Sequence, residues 1–160
     1  MKFALTTLAL IAGMSAVSAN AAALNEKNLS LEDANALATA AIQSCAANKY
    51  NVSVTVVDRA GNIKALQRMD NAGPHTIEAS RMKAFTSLST KNASGKVMEA
   101  AQNNAGAANM KDVPGFLLLA GGLPVRDGDQ VIGAVGIGGA PGGHLDEQCA
   151  QAAIDTVFKK

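Results

Sequence analysis

Aromatic side chains are scarce in this chain: no tryptophan, one tyrosine and four phenylalanines in 160 residues. Proteins that hold single-stranded nucleic acid build stacking platforms from such rings, and little is available here to build one. An excess of one charge is missing too. Fourteen basic residues face thirteen acidic ones, a net charge of +1, whereas nucleic-acid binders select a basic stripe. Cysteine occurs only twice, at Cys45 and Cys149, and histidine only twice, at His75 and His144. Neither cysteine lies in a C-x-x-C motif, and no close Cys/His spacing accompanies the histidines, which argues against a dithiol redox centre and a structural zinc site. Gly-Lys-Ser/Thr and Gly-x-Ser-x-Gly are also absent, so neither a P-loop nor a hydrolase nucleophile elbow is present.

Long apolar runs are limited to one. Phe3 to Val17 carries no charge, follows Lys2, and closes in Ser18-Ala19-Asn20-Ala21. A short positive start, an apolar stretch below the ~20 residues that span a bilayer, and a small-x-small ending describe a secretory signal peptide. The expected organisation is a signal peptide over 1–21, cleaved near Ala21, and a single domain over 22–160. That domain is expected to be periplasmic or secreted, with no membrane span in the mature form. In an oxidising compartment two cysteines more often bridge than stay free. A Cys45–Cys149 disulfide would close a loop of ~100 residues, worth ~4 kcal/mol in the chain-entropy account.

The rest of the chain reads as alternating helices and hairpins. Ser30 and Asp33 open a capping-box-like start, and Leu31, Ala34, Leu37, Ala38, Ala41, Ile42 and Cys45 fall at helical spacing. Val52–Asp58 and Ile63–Met69 form a hairpin with Asp58 and Gly61 at its tip. A helix runs from His75-Thr76 to about Thr90, and a shorter one from Asn92 and Ser94 through Gln102. Asn103–Pro114 reads as loop. Phe116–Ala120 reads as an apolar strand that continues, after Gly121-Gly122, as Leu123–Arg126. Asp127-Gly128-Asp129 turns the chain into a return strand, Gln130–Ile137. A glycine-rich loop, Gly138–Gly143, leads into a last helix, Leu145–Phe158, with Cys149 in its second turn. Strands arriving as hairpins imply an α+β fold with a mostly antiparallel sheet covered by helices.

Candidate chemistry sits at the loops. The Gly138–Gly143 loop fails the dinucleotide spacing, because Pro141 stands where a third glycine is needed; it suits tight packing or the frame of a pocket. His75 and His144 each stand in a Gly/Pro loop just ahead of a helix. The positive end of the helix dipole disfavours an added positive charge there, and an uncharged imidazole is what iron or zinc takes as ligand. Capping or surface histidines are the plainer account of the same positions. Glu78, Arg81 and Lys83, with Asp146 and Glu147 after His144, read as solvated helix faces. A carboxylate beside His144 would alternatively make an acid/base pair.

Taken in order, a set of motifs resembles one family. They are Asp58-x-x-Gly61, Arg68-Met69-Asp70, Ala72-Gly73-Pro74-His75-Thr76 and Lys83-Ala84-Phe85-Thr86. Gly121-Gly122-Leu123-Pro124, Ile132-Gly133-Ala134-Val135-Gly136 and Gly138-Gly139 to His144-Leu145-Asp146-Glu147 complete the set. They are similar to the GlcG/HbpS-like haem-binding family and to the C-terminal domain of the PduO cobalamin adenosyltransferase, whose catalytic half has no counterpart here. The resemblance covers about residues 27–158. It implies a profilin-like α/β/α sandwich with a five-stranded antiparallel sheet, and a homo-oligomer between dimer and octamer. It also implies a haem, tetrapyrrole or iron ligand, used in haem handling or sensing. His75 and His144 would then be the metal ligands, and Arg68 or Lys83 would pair with propionates. The rival reading is an enzyme or accessory protein acting on a small organic acid. There Lys83 and Arg68 would hold the carboxylate, and His144 with Glu147 would move protons. No motif demands catalysis.

Overall fold

A computed structural model describes residues 23–158; the expected signal peptide lies outside them. Helix α1 spans Leu31–Ala47, capped by Ser30, whose Oγ accepts from Asp33 N at 3.0 Å and donates to Asp33 Oδ2 at 2.7 Å. Its buried stripe is Ala34, Leu37, Ala38, Ala41 and Cys45, while Leu31, expected on that stripe, is exposed. Strands β1 (Ser53–Asp58) and β2 (Ile63–Arg68) form the expected hairpin. Its tip is closed by Asp58 Oδ1, which accepts from Ala60 N and Asn62 N at 2.9 Å each, and by Gly61 at φ +84°. An Asx-type turn with a left-handed residue is what that pairing of types provides.

Helices α2 (Thr76–Thr90) and α3 (Ser94–Asn103) follow, then a 3₁₀ segment over Ala105–Asp112 where loop was expected. Strands β3 (Gly122–Asp127) and β4 (Gln130–Gly138) and helix α4 (Gly143–Phe158) complete the chain. The sheet is antiparallel with order β2-β1-β4-β3. It has four strands among the described residues, not the five that the resemblance implied. The missing one is Phe116–Ala120. Its backbone is held by side chains rather than by a ladder. Leu117 N donates to Thr86 Oγ1 at 2.9 Å, and Ser94 Oγ donates to Leu119 O at 2.7 Å. Hydroxyls from α2 and α3 thus satisfy groups that a neighbouring strand would otherwise pair.

Helices α1 and α4 cover one face of the sheet and α2 covers the other, giving three layers. The large core lies under α1 and α4: Leu37, Val54, Val56, Val125, Val135 and Ile137 belong to it. Cys45 and Cys149 meet there as a disulfide with Cα atoms 5.4 Å apart, joining α1 to α4 as expected. The opposite face is built differently. Ser53 and Thr55 of β1 meet Thr76 and Ser80 of α2 through hydroxyl contacts of 2.7 Å each. At Gly136 a Cβ would stand 2.1 Å from Ser80 O and 2.5 Å from Ala84 N, so α2 packs its backbone directly on β4. Only glycine permits that approach. No helix among the described residues is long and apolar enough to cross a membrane.

Candidate ligand site

Close packing of α2 on β4 leaves a cavity at the N-terminal end of α2. It has a volume of about 530 Å³. Its walls are the start of α2, the first turns of α3, Leu119-Ala120, the Gly138–Gly143 loop and the start of α4. His75 and His144 both line it. The two histidines that sequence placed ahead of separate helices are therefore brought to one opening. His75 is the residue before α2 and makes no side-chain capping bond; His144 sits in the first turn of α4. Both side chains are exposed at the rim.

The floor is ionic. Lys83 Nζ donates to Asp146 Oδ2 at 2.8 Å and to Ile137 O at 2.9 Å, with both side chains almost fully buried. Asp146 Oδ1 accepts from Ala140 N at 3.0 Å. Burial pushes the Asp146 carboxyl above the ordinary carboxylate value, against the pull of Lys83 and of the Ala140 N–H; the neighbouring Glu147 adds to the rise. Glu147 Oε1 in turn accepts from Gly95 N at 2.9 Å and from Gly121 N at 3.3 Å. Two successive acids of α4 thus fasten α2, the α3 start, the turn before β3 and the glycine-rich loop to one another.

These placements correct three expectations. Lys83, Asp146 and Glu147 are not a solvated helix face; only Glu78 and Arg81 are, paired Nε to Oε2 at 2.9 Å at the surface. Lys83 is committed to Asp146, so its ammonium is not left open for a ligand carboxylate. Arg68 is not in the cavity. It is exposed, donates to the Ala72 carbonyl, and borders a separate cleft with Asn51 and Asp70. Glu147 lines the cavity with His144, its Oε1 engaged by two backbone N–H groups, and no hydrogen bond joins it to His144 among the described residues. Ser80 and Lys83 also stand at Ser-x-x-Lys spacing, but Ser80 Oγ donates to Ile77 O at 2.8 Å and the pair is structural.

The buried ion pair had a readable signal. Asp146 falls in register with Cys149, Ala150 and Ala153, the buried stripe of α4, and Lys83 with Thr76, Ser80, Ala84 and Ser87 on α2. A charge on each of two buried stripes calls for a partner of opposite sign.

A family model described as haem degrading protein HbpS-like matches residues 29–155. The chain belongs to this family. Protein GlcG of Escherichia coli (strain K12) is 35% identical over 109 residues, which is 68% of this chain and 80% of GlcG. A crystal structure of HbpS superposes with a TM-score of 0.81 at 38% identity, covering 86% of this chain and 95% of HbpS. The crystal structure of a PduOC–haem complex superposes with a TM-score of 0.76 at 26% identity, covering 82% and 96% of the two chains.

Proposed function

We propose that this protein is an exported haem-binding protein that takes haem or a related tetrapyrrole in the cavity between His75 and His144. His75 would ligate the iron, and His144 would be a second ligand or gate. The convergence of the chain's two histidines on one cavity carries this reading, and the similar PduOC structure is a haem complex. The residues suit the group. The volume is within the ~300–1,000 Å³ of small-molecule sites. Glycine, alanine, Pro141, Met98 and Leu119 give apolar wall for a macrocycle, with Glu99 and Glu147 lining the same space, and imidazole is a common ligand of haem iron. Neither imidazole has a partner among the described residues. Bound haem would supply a redox-active iron, held by His75 with His144 beside it.

Lys83 and Arg68 have no direct part in this proposal: Lys83 holds the floor with Asp146, and Arg68 lies outside the cavity. The intramolecular disulfide supports export, since such bonds persist in oxidising compartments. A homo-oligomer belongs to the same proposal, and light scattering of the purified protein tests it. The functional test is titration with hemin. A Soret shift at micromolar hemin, weakened by His75→Ala and altered by His144→Ala, is expected. No shift at that concentration defeats the reading.

A further inference from the structure

The two histidines are carried by turns of the same construction. Each stands two residues after a glycine, in Gly73-Pro74-His75 and in Gly142-Gly143-His144. In each turn the glycine carbonyl accepts the N–H three residues on: Thr76 N to Gly73 O at 3.1 Å, and Leu145 N to Gly142 O at 2.9 Å. Thr76 Oγ1 adds a second bond to Gly73 O at 2.7 Å. In each turn the imidazole folds back over its glycine. A Cβ at Gly73 would lie 2.8 Å from His75 Cε1 and 3.0 Å from Nδ1; a Cβ at Gly142 would lie 2.8 Å from His144 Cε1 and 3.0 Å from Nδ1. The His144 Nε2 is farther, at 3.9 Å, and at His75 Nε2 is not among the three nearest atoms.

We infer that Gly73 and Gly142 are positioning residues, each seating the Nδ1–Cε1 edge of an imidazole so that Nε2 is the nitrogen offered to the cavity. The inference rests on the haem-binding reading for what Nε2 meets. The seating itself does not depend on it. Neither glycine adopts a left-handed backbone, so φ is no reason for glycine at these positions. What glycine supplies is the absence of a Cβ under the ring. Neither imidazole is held by a hydrogen bond among the described residues, so the space left by the missing Cβ is what receives an otherwise exposed ring. Two unrelated segments, before α2 and at the start of α4, arrive at one arrangement and both open on one cavity.

Gly73→Ala and Gly142→Ala test this cleanly, because the backbone tolerates alanine and the clash falls on a side-chain ring that can swing away. The chain has only two histidines, so imidazole ¹H–¹⁵N multiple-bond spectra of the protein without haem report each ring separately. In Gly73→Ala the His75 ring signals are expected to shift while those of His144 stay. Gly142→Ala should do the reverse. Circular dichroism and the melting temperature should be unchanged in both. Ring signals that coincide with wild type in both variants overturn the inference, whatever hemin does. Hemin affinity should then fall about 10-fold or more in Gly73→Ala, the loss usual when the support of a metal-ligating histidine is removed. If the rings move but hemin binds Gly73→Ala as tightly as wild type while His75→Ala weakens it, the positioning role is refuted and the haem reading stands. If His75→Ala and His144→Ala both leave hemin binding intact, the assignment of the two histidines as ligands falls while haem binding stands, and the ring shifts alone decide the seating.

Discussion

The two faces of the sheet solve the same packing problem with different materials. Under α1 and α4 the contact is valine, leucine, isoleucine and alanine, closed by a disulfide. Under α2 the buried apolar cluster is small, Val57, Ala84 and Ala134, with Leu88 beside it, and the rest is hydroxyls, glycine and one buried lysine. The first face can draw on burial alone, at roughly 25 cal/mol per Å² of apolar surface removed from water. The second cannot. It relies on directed bonds and on a helix backbone brought close enough to β4 to leave a shaped space at its end. The cavity lies at the end of that polar seam. An apolar core adapts to small shifts, whereas hydroxyl pairs and a glycine contact fix position, and a ligand site needs fixed position.

The largest expected effect tests the apolar face. Its disulfide spans a sequence separation of 104 residues. Cys45→Ser with Cys149→Ser should lower unfolding stability by about 4–5 kcal/mol in the chain-entropy account, read by urea denaturation. The α1 and α4 stripes should still fold together, since Ala34, Leu37, Ala41, Ala150 and Ala153 are buried there beside the bridge and keep their apolar contacts. If the double variant loses less than about 1 kcal/mol, the face is held by its apolar contacts alone and the bridge is incidental.

The next effect tests the link between the faces. Lys83 of α2 and Asp146 of α4 meet across the end of β4, at Ile137 O. Asp146→Asn leaves a buried ammonium without its counter-charge and should cost about 3–5 kcal/mol. Lys83→Met with Asp146→Leu should recover most of that loss, because removing both charges together also removes their desolvation cost. The pH dependence has a definite sign. The folded chain raises the Asp146 carboxyl above its ordinary value, so between the two values folding takes up a proton. This group's contribution is fully present below the ordinary carboxylate value and is lost as pH rises through the raised one. Asp146→Asn should remove that segment of the stability–pH curve. A curve of unchanged shape would show that Asp146 titrates alike in both states.

What could be read from the sequence follows the same division. On the apolar face the signals are local and periodic: the Ser30–Asp33 cap, the α1 stripe, the β1–β2 hairpin, and Cys45 and Cys149 as a pair. Each survived apart from Leu31, which lies off the buried stripe. Phe116–Ala120 misled because its composition suits a strand, but Thr86 and Ser94 reach its backbone first, from helices distant in sequence. Lys83, Asp146 and Glu147 misled because charge on a helix is usually solvated, and only the fold sets one helix's lysine against the other's acid. Arg68 misled because a cation at a strand end suits an anionic ligand, whereas its guanidinium is turned to the Ala72 carbonyl. The histidines were found from their loops, but their meeting at one cavity is a property of the assembled layers.

The smallest effect compares the faces residue against residue. Val56 and Thr55 are neighbours on β1, both fully buried, pointing to opposite sides. Ser80 Oγ gives its one proton to Ile77 O, so Thr55 Oγ1 must be the donor in the Thr55–Ser80 contact. Thr55→Val therefore removes one donor while Ser80 keeps its own bond, and no buried donor is orphaned. It should cost about 1 kcal/mol or less. Val56→Thr inserts a hydroxyl among valines and alanines of the large core, where it lacks a comparable partner, and should cost about 1–3 kcal/mol. The same two side chains exchanged on adjacent residues should thus give unequal losses, measured by paired urea melts. Equal losses would mean that the hydroxyl seam contributes no positional order beyond filling space, and the contrast drawn between the faces would fail.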